Sequence, residues 1–154
     1  MRKAAIFTLD TALYTQKNDS TASLAIQTTL RQAGYDVRGG ALPEDKELVK
    51  TVITRLTDSS SVQLIITVGD TGITEKDIAP EIVEELSDRM LPGIPETIRS
   101  YMTRYSKKVL FDRAAAGIRK QTILLNLSDD VKDAKESLEF ILPELMQAVE
   151  VLNP

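Results

Sequence analysis

The chain contains no cysteine and no histidine. The first absence excludes disulfides, thiolate metal sites and a thiol nucleophile. The second removes the usual general base and the commonest metal ligand. A metal here is therefore expected to be a hard cation held by oxygens rather than zinc. Long hydrophobic runs are also missing: nothing approaches the roughly 18 apolar residues of a membrane span. The opening Met1-Arg2-Lys3-Ala4-Ala5-Ile6-Phe7 starts as a signal peptide does, but its apolar run stops at Asp10. There is no basic block either. Nineteen Lys+Arg against 23 Asp+Glu leave a net charge of −4, which argues against nucleic acid or an anionic membrane as partner. The expected location is the cytoplasm.

What is present describes a globular protein. Of 154 residues, 42% are hydrophobic and 27% charged, a balance that excludes a disordered or fibrous chain. The length fits one domain over residues 1–154, able to bury roughly 70% of its unfolded surface.

The pattern alternates. Ala4–Leu9 is a short apolar run and reads as a first strand; Ser20–Ala33 has helical spacing, with Gly34 as its stop. Tyr35–Leu42 is extended, and Glu44–Leu56 is a helix. Val62–Val68 is apolar almost throughout, as a strand covered on both faces should be. Pro80 opens a helix that ends before Pro92-Gly93, and Ile94, Ile98 and Met102 mark another. Lys107–Gly117 has no clear period. Gln121–Leu127 is a further buried strand, and Val131–Val149 is a long amphipathic helix in which Pro143 predicts a kink or break. This order predicts an α/β fold of three layers, a mostly parallel sheet with helices on both faces. The Ile94/Ile98/Met102 stripe reads as core or subunit contact, and Tyr101 and Tyr105, one turn apart, as an interface pair. Lys107-Lys108 reads as a solvated pair, and Asp133 as a surface charge.

Ligands in such sheets bind beyond the carboxyl ends of the strands. Seven carboxylates fall in the loops expected there: Asp10, Glu44, Asp45, Asp70, Asp77, Asp129 and Asp130. Acids brought together repel unless a cation intervenes, so the reading is either a divalent-cation site or carboxylates that splay into water. More specific is Thr67–Glu81, TVGDTGITEKDIAPE. A strand that runs into Gly69-x-x-Gly72 and then a helix suits the approach of backbone amides to an anion.

That segment resembles the T-G-G-T-G-x-T-x-x-D-x-T-P-E signature of the molybdopterin-binding family of molybdenum-cofactor biosynthesis, which includes the MogA/MoaB proteins and a domain of gephyrin. Four further segments carry the resemblance in order. They are Leu42-Pro43-Glu44-Asp45, Asp88–Gly93, Phe111–Gly117 with Arg119-Lys120, and Asn126-Leu127 followed by Ile141-Leu142-Pro143-Glu144-Leu145. The resemblance implies a trimer-forming α/β fold, a homotrimer or hexamer that takes molybdopterin and ATP with Mg²⁺. It implies that Gly69, Asp70, Thr71 and Gly72 lie against the pterin phosphate, with Ser128 at the matching turn. It implies that Arg113 is a phosphate clamp, and that Asp77 with Glu44 or Asp45 serves catalysis, Asp77 and Asp45 handling the metal.

The departures are as informative. Asp70 stands where the signature has glycine, Asp112 where the "S-R" pair has serine, and Ser128-Asp129-Asp130-Val131 where the family has Pro-Gly-Ser-Pro. Asn18–Ser23 lacks the glycine of an early D-x-S-G element. Each change adds negative charge or removes glycine near an anionic ligand. Two readings follow: a molybdopterin-binding protein acting as an Mg-ATP-dependent adenylyltransferase, or a non-catalytic paralogue serving as an interaction or regulatory subunit. A receiver-like signalling domain, suggested by Asp10 and Asp70, lacks the lysine it needs after the last strand.

Overall fold

The computed structural model describes residues 1–154. The elements in chain order are β1 (Lys3–Leu9), α1 (Thr11–Gln16), α2 (Thr21–Gln32), β2 (Asp36–Leu42), α3 (Lys46–Asp58), β3 (Leu64–Val68) and α4 (Ala79–Leu86). They continue with β4 (Arg89–Met90), α5 (Gly93–Met102), a 3-10 turn (Lys107–Phe111), β5 (Ala116–Arg119), β6 (Thr122–Leu127) and α6 (Val131–Leu152). The sheet has the order β2-β1-β3-β6-β5-β4. Strands β1, β2, β3 and β6 are parallel, while β5 and β4 run antiparallel at one edge. The mostly parallel three-layer expectation holds.

Strand alternation divides the core. Ala4, Ile6, Leu64, Ile66, Ile123 and Leu125 face one cluster with Ile26 and Leu30 of α2 and Leu138 and Leu145 of α6. Their sequence neighbours Ala5, Ile65 and Leu124 face a second cluster with Val49 and Ile53 of α3 and Ile82 and Val83 of α4. This is the period of two expected of strands covered on both faces. Each Ile or Leu fully buried in this way contributes roughly 1.5–3 kcal/mol.

Three features differ from expectation. Helix α6 runs for 22 residues through Pro143 without the break that was one of the two expectations there; Ile141 and Leu145 on either side are buried in the core, and that packing carries the helix past the lost amide. Helix α1 has no buried residue and owes its start to Asp10, whose Oδ1 accepts from Leu13 N–H at 2.9 Å. The unassigned Lys107–Gly117 stretch resolves into the 3-10 turn and the start of β5. No helix is long and apolar enough to cross a membrane.

The Asn18–Ser23 stretch has a purely internal role. The Asp19 carboxylate accepts from the Thr8 and Ser23 hydroxyls, the Ser20 N–H and Gln27 Nε2 at 2.8–2.9 Å. Ser20 caps α2 by accepting from Ser23 N–H at 3.0 Å. Helix α2 is thereby fastened to β1 without a glycine.

Candidate functional site

The parallel registers pair Leu9 with Leu42, Thr8 with Val68, and Val68 with Leu127. The carboxyl ends of β1, β2, β3 and β6 therefore finish level, and the loops that follow them share one edge of the sheet. Gly69 leaves β3 with φ +95°, a conformation open to glycine, and its N–H donates to Leu127 O at 2.9 Å. Asp70 follows with φ +57°, a left-handed backbone that Asp and Asn tolerate better than other side chains. Its carbonyl receives the N–H of Ala79, which ties the loop to the start of α4. Gly72 is required for space: a Cβ there would stand 2.8 Å from Asp77 Oδ2.

The predicted acids do different things. Asp10, Asp45 and Asp130 each cap a helix, accepting from the N–H of Leu13, Leu48 and Asp133. Asp77 closes a turn, its Oδ2 accepting from the Thr74 N–H at 2.9 Å and hydroxyl at 2.8 Å. Burial pushes its carboxyl up, but these bonds, the Gly72 backbone and the Arg113 charge together outweigh that and hold it below the usual carboxylate range. Asp70 is the opposite case. Its Oδ2 is buried without any hydrogen-bond partner. Burial first, then the neighbouring Glu44, then the charges of Asp77 and Asp129, push its carboxyl up to about 7.

These placements bear on the metal. No three acids converge on a common point as a protein cage for a cation would require; of the two predicted ligands, Asp45 is a helix cap and Asp77 is bound to Thr74. A hard cation here could take only one or two carboxylates from the protein, its other ligands coming from elsewhere. Asp70, with its orphaned oxygen, and the adjoining Glu44 are the residues that would hold it.

Arg113 is also placed differently from its expected role. Its Nε donates to Gly72 O at 2.6 Å, one Nη to Asp77 O at 2.9 Å, and the guanidinium meets Glu81 through two bonds of 2.8 and 3.0 Å. Its own N–H donates to Thr71 O at 2.8 Å. Four of its side-chain bonds thus hold the 69–77 loop to α4. Arg113→Gln should cost about 1–2 kcal/mol in urea unfolding, from the two lost backbone-carbonyl bonds. The Glu81 pair adds little, because both partners are over a third exposed.

Beside this loop lies a cavity of about 350 Å³, between the 71–72 backbone, α5, the 3-10 turn and the start of α6. Thr71, Gly72 and Ser128 line it, as do Arg99, Lys108, Asp112 and Asp133. Ile98, Val109 and Phe111 provide an apolar wall, and Phe111 is 59% exposed. Asn126 forms part of the floor: Nδ2 donates to the Thr67 hydroxyl at 2.7 Å and Oδ1 accepts from Ala115 N–H at 3.0 Å. Ser128 Oγ accepts from Asp130 N–H at 3.1 Å. The Asp133 carboxyl is pushed up by burial, then by Asp130 and Glu136, so it is no ordinary surface charge. Arg99, Lys108 and Asp133 have no motif around them; their helical spacing gave no sign that tertiary packing would bring them together.

Comparison with known proteins shows the family and the fold. The family model described as "Probable molybdopterin binding domain" matches residues 5–147. A molybdopterin adenylyltransferase of Helicobacter pylori is 29% identical over 109 residues, 71% of this chain and 62% of its own length. That of Escherichia coli is 29% identical over 105 residues, 68% of this chain and 54% of its own. The chain thus spans somewhat over half the length of these curated relatives. Among solved structures, the molybdopterin biosynthesis enzyme MoaB of Thermus thermophilus superposes with TM-score 0.86 at 34% identity, covering 99% of this chain and 96% of that one. The Mog protein of Mycobacterium ulcerans superposes with TM-score 0.91, covering 99% of both chains, and at 22% identity it supports the fold alone. The chain belongs to the molybdopterin-binding-domain family of the MogA/MoaB type.

Proposed function

We propose that residues 1–154 form one molybdopterin-binding domain that transfers an adenylyl group from ATP to molybdopterin. The observation that carries the reading is the cavity itself. Apolar Ile98, Val109 and Phe111 line it together with a glycine-bearing backbone turn and two cations, Arg99 and Lys108. That combination suits a flat heterocycle ending in a phosphate. The relatives named as molybdopterin adenylyltransferases match over about 70% of this chain.

In the reaction, a terminal phosphate oxygen of the pterin attacks the α-phosphorus of ATP. The bond to the β-phosphate oxygen breaks and pyrophosphate leaves. Without His or Cys, this chain contributes positioning and charge stabilisation. The Gly69–Gly72 backbone and the cavity cations hold phosphate, and Arg113 with Asp77 keeps that loop in shape. Mg²⁺, when bound, screens the nucleotide phosphates, and Asp70 with Glu44 would hold it. By family resemblance the assembly is a homotrimer or hexamer. The exposed Tyr105 and Phe140, with the half-buried Tyr101 stacked on Phe140 at 4.1 Å, offer it an aromatic contact surface. The location by the same reading is the cytoplasm.

One observation favours the rival reading, a family member without catalysis. Asp70 places an unpartnered carboxylate in the loop that would meet anionic ligands. Calorimetric titration with Mg-ATP and with molybdopterin tests the proposal: saturable binding of both supports it, and silence from the folded protein favours the rival.

A further inference from the structure

Two arginines border the candidate site, and their donors are used very differently. Arg113 has four of its bonds committed to Gly72, Asp77 and Glu81, and its side chain serves the loop. Arg99, on α5, lines the cavity with its side chain 31% exposed. Both of its hydrogen bonds come from Nη1, to Asp112 Oδ2 at 3.2 Å and to Ala114 O at 2.9 Å. Its Nε and Nη2 donate to nothing in the protein. They form the edge of the guanidinium plane that meets a phosphate or carboxylate through two parallel bonds. The bond to Ala114 O, next to β5, fixes the stem and leaves that edge available.

We propose that Arg99 is the anion clamp of this cavity and that Asp112 is a built-in competitor for it. Asp112 sits in the cavity wall with its side chain 24% exposed and places a carboxylate 3.2 Å from the clamp. A ligand phosphate entering the cavity meets Arg99 already partly neutralised and lies close to a like charge. Lys108 is the second cation of the cavity, while Asp130 and Asp133 add further negative charge. Asp112 therefore lowers affinity for every anion and sets the threshold a ligand must exceed with its other contacts. Serine or asparagine at this position removes the competing charge.

This inference rests on the reading of the cavity as the ligand site, and the experiment separates the two. Inorganic pyrophosphate is titrated into the wild type and into Asp112→Asn, Arg99→Gln and Arg113→Gln. The Arg99 Nε–H signal and the ³¹P resonance are followed by NMR. Asp112→Asn, which offers Arg99 a neutral oxygen acceptor in place of the carboxylate, should bind pyrophosphate about tenfold more tightly than the wild type, the effect of a single charge-assisted contact. Arg99→Gln should lose at least about tenfold, and Arg113→Gln distinctly less. Equal affinity in the wild type and Asp112→Asn overturns the proposal. So does a loss in Arg113→Gln as large as that in Arg99→Gln, or no binding by any variant. Molybdopterin titrated in parallel distinguishes the failures. Molybdopterin bound equally by the wild type and Arg99→Gln removes the clamp and leaves the functional reading standing. The expected pyrophosphate pattern with no molybdopterin binding removes the functional reading and leaves the clamp.

Discussion

Asp70→Asn should stabilise the protein by about 1–2 kcal/mol at pH 8 and leave it nearly unchanged at pH 4. The Asp70 carboxyl is displaced from its ordinary 3.8 to about 7, first by burial and then by Glu44, Asp77 and Asp129. The direction follows from proton binding. Below pH 4 the group is protonated in both folded and unfolded chains, and its burial as an acid carries no charge penalty. Between about 4 and 7 the unfolded chain releases its proton first, so stability falls as pH rises. Above 7 the full penalty of a buried charge is in place. Taken whole, that displacement corresponds to about 4 kcal/mol. The group is only partly buried, so solvent screening lowers the expected figure. Asparagine keeps the size of the side chain and tolerates the +57° backbone. In scanning calorimetry the gain at pH 8 should appear as a rise of about 3–6 °C in Tm. An equal gain at both pH values would show that charge is not the cause. No gain at pH 8 would show that the orphaned oxygen costs nothing.

The largest loss of stability is expected from Asn126→Leu, about 3 kcal/mol in urea unfolding. The side chain is buried and joins two elements, donating to Thr67 on β3 and accepting from Ala115 N–H ahead of β5. Leucine is similar in size but leaves the Ala115 N–H unpaired in the interior, and unmade buried bonds cost more than made ones contribute. The Ala115 segment runs straight into Arg113 and Asp112, so the damage should spread to the cavity. Amide exchange at Ala115 and Ala116 should speed up before exchange in β3 does. A change below about 0.5 kcal/mol would mean that the asparagine is kept for the cavity alone.

The same residues show why some of this structure was legible in the sequence and some was not. The strands β1, β3 and β6 and helix α6 carry long apolar patterns, and burial against two layers leaves no other arrangement for them. Strand β4 has two residues and no period of its own; it exists because β5 pairs with it. Helix α1 has only a cap to announce it. The glycine turn after β3 was legible because Gly69 and Gly72 answer a backbone angle and a clearance that other residues do not meet. The shared acidic edge was legible too, since it follows from parallel strands ending level. What each acid does there was hidden. Asp10, Asp45 and Asp130 serve as caps because the residue three positions on presents an N–H, whereas the buried Oδ2 of Asp70 meets no donor. The choice between Arg99 and Arg113 lay entirely in tertiary geometry. It depends on which donors the surrounding carbonyls and carboxylates have already taken.

The most direct test of the central claim is product formation. Purified protein, molybdopterin, ATP and Mg²⁺ are incubated together, and the pterin fraction is weighed by mass spectrometry while pyrophosphate is assayed. A molybdopterin domain that works by phosphate positioning predicts a pterin carrying one added adenylyl group, one pyrophosphate released for each, and dependence on both ATP and Mg²⁺. Unchanged pterin and ATP in the presence of folded protein would contradict it, and would mean that the fold persists here without the transfer reaction.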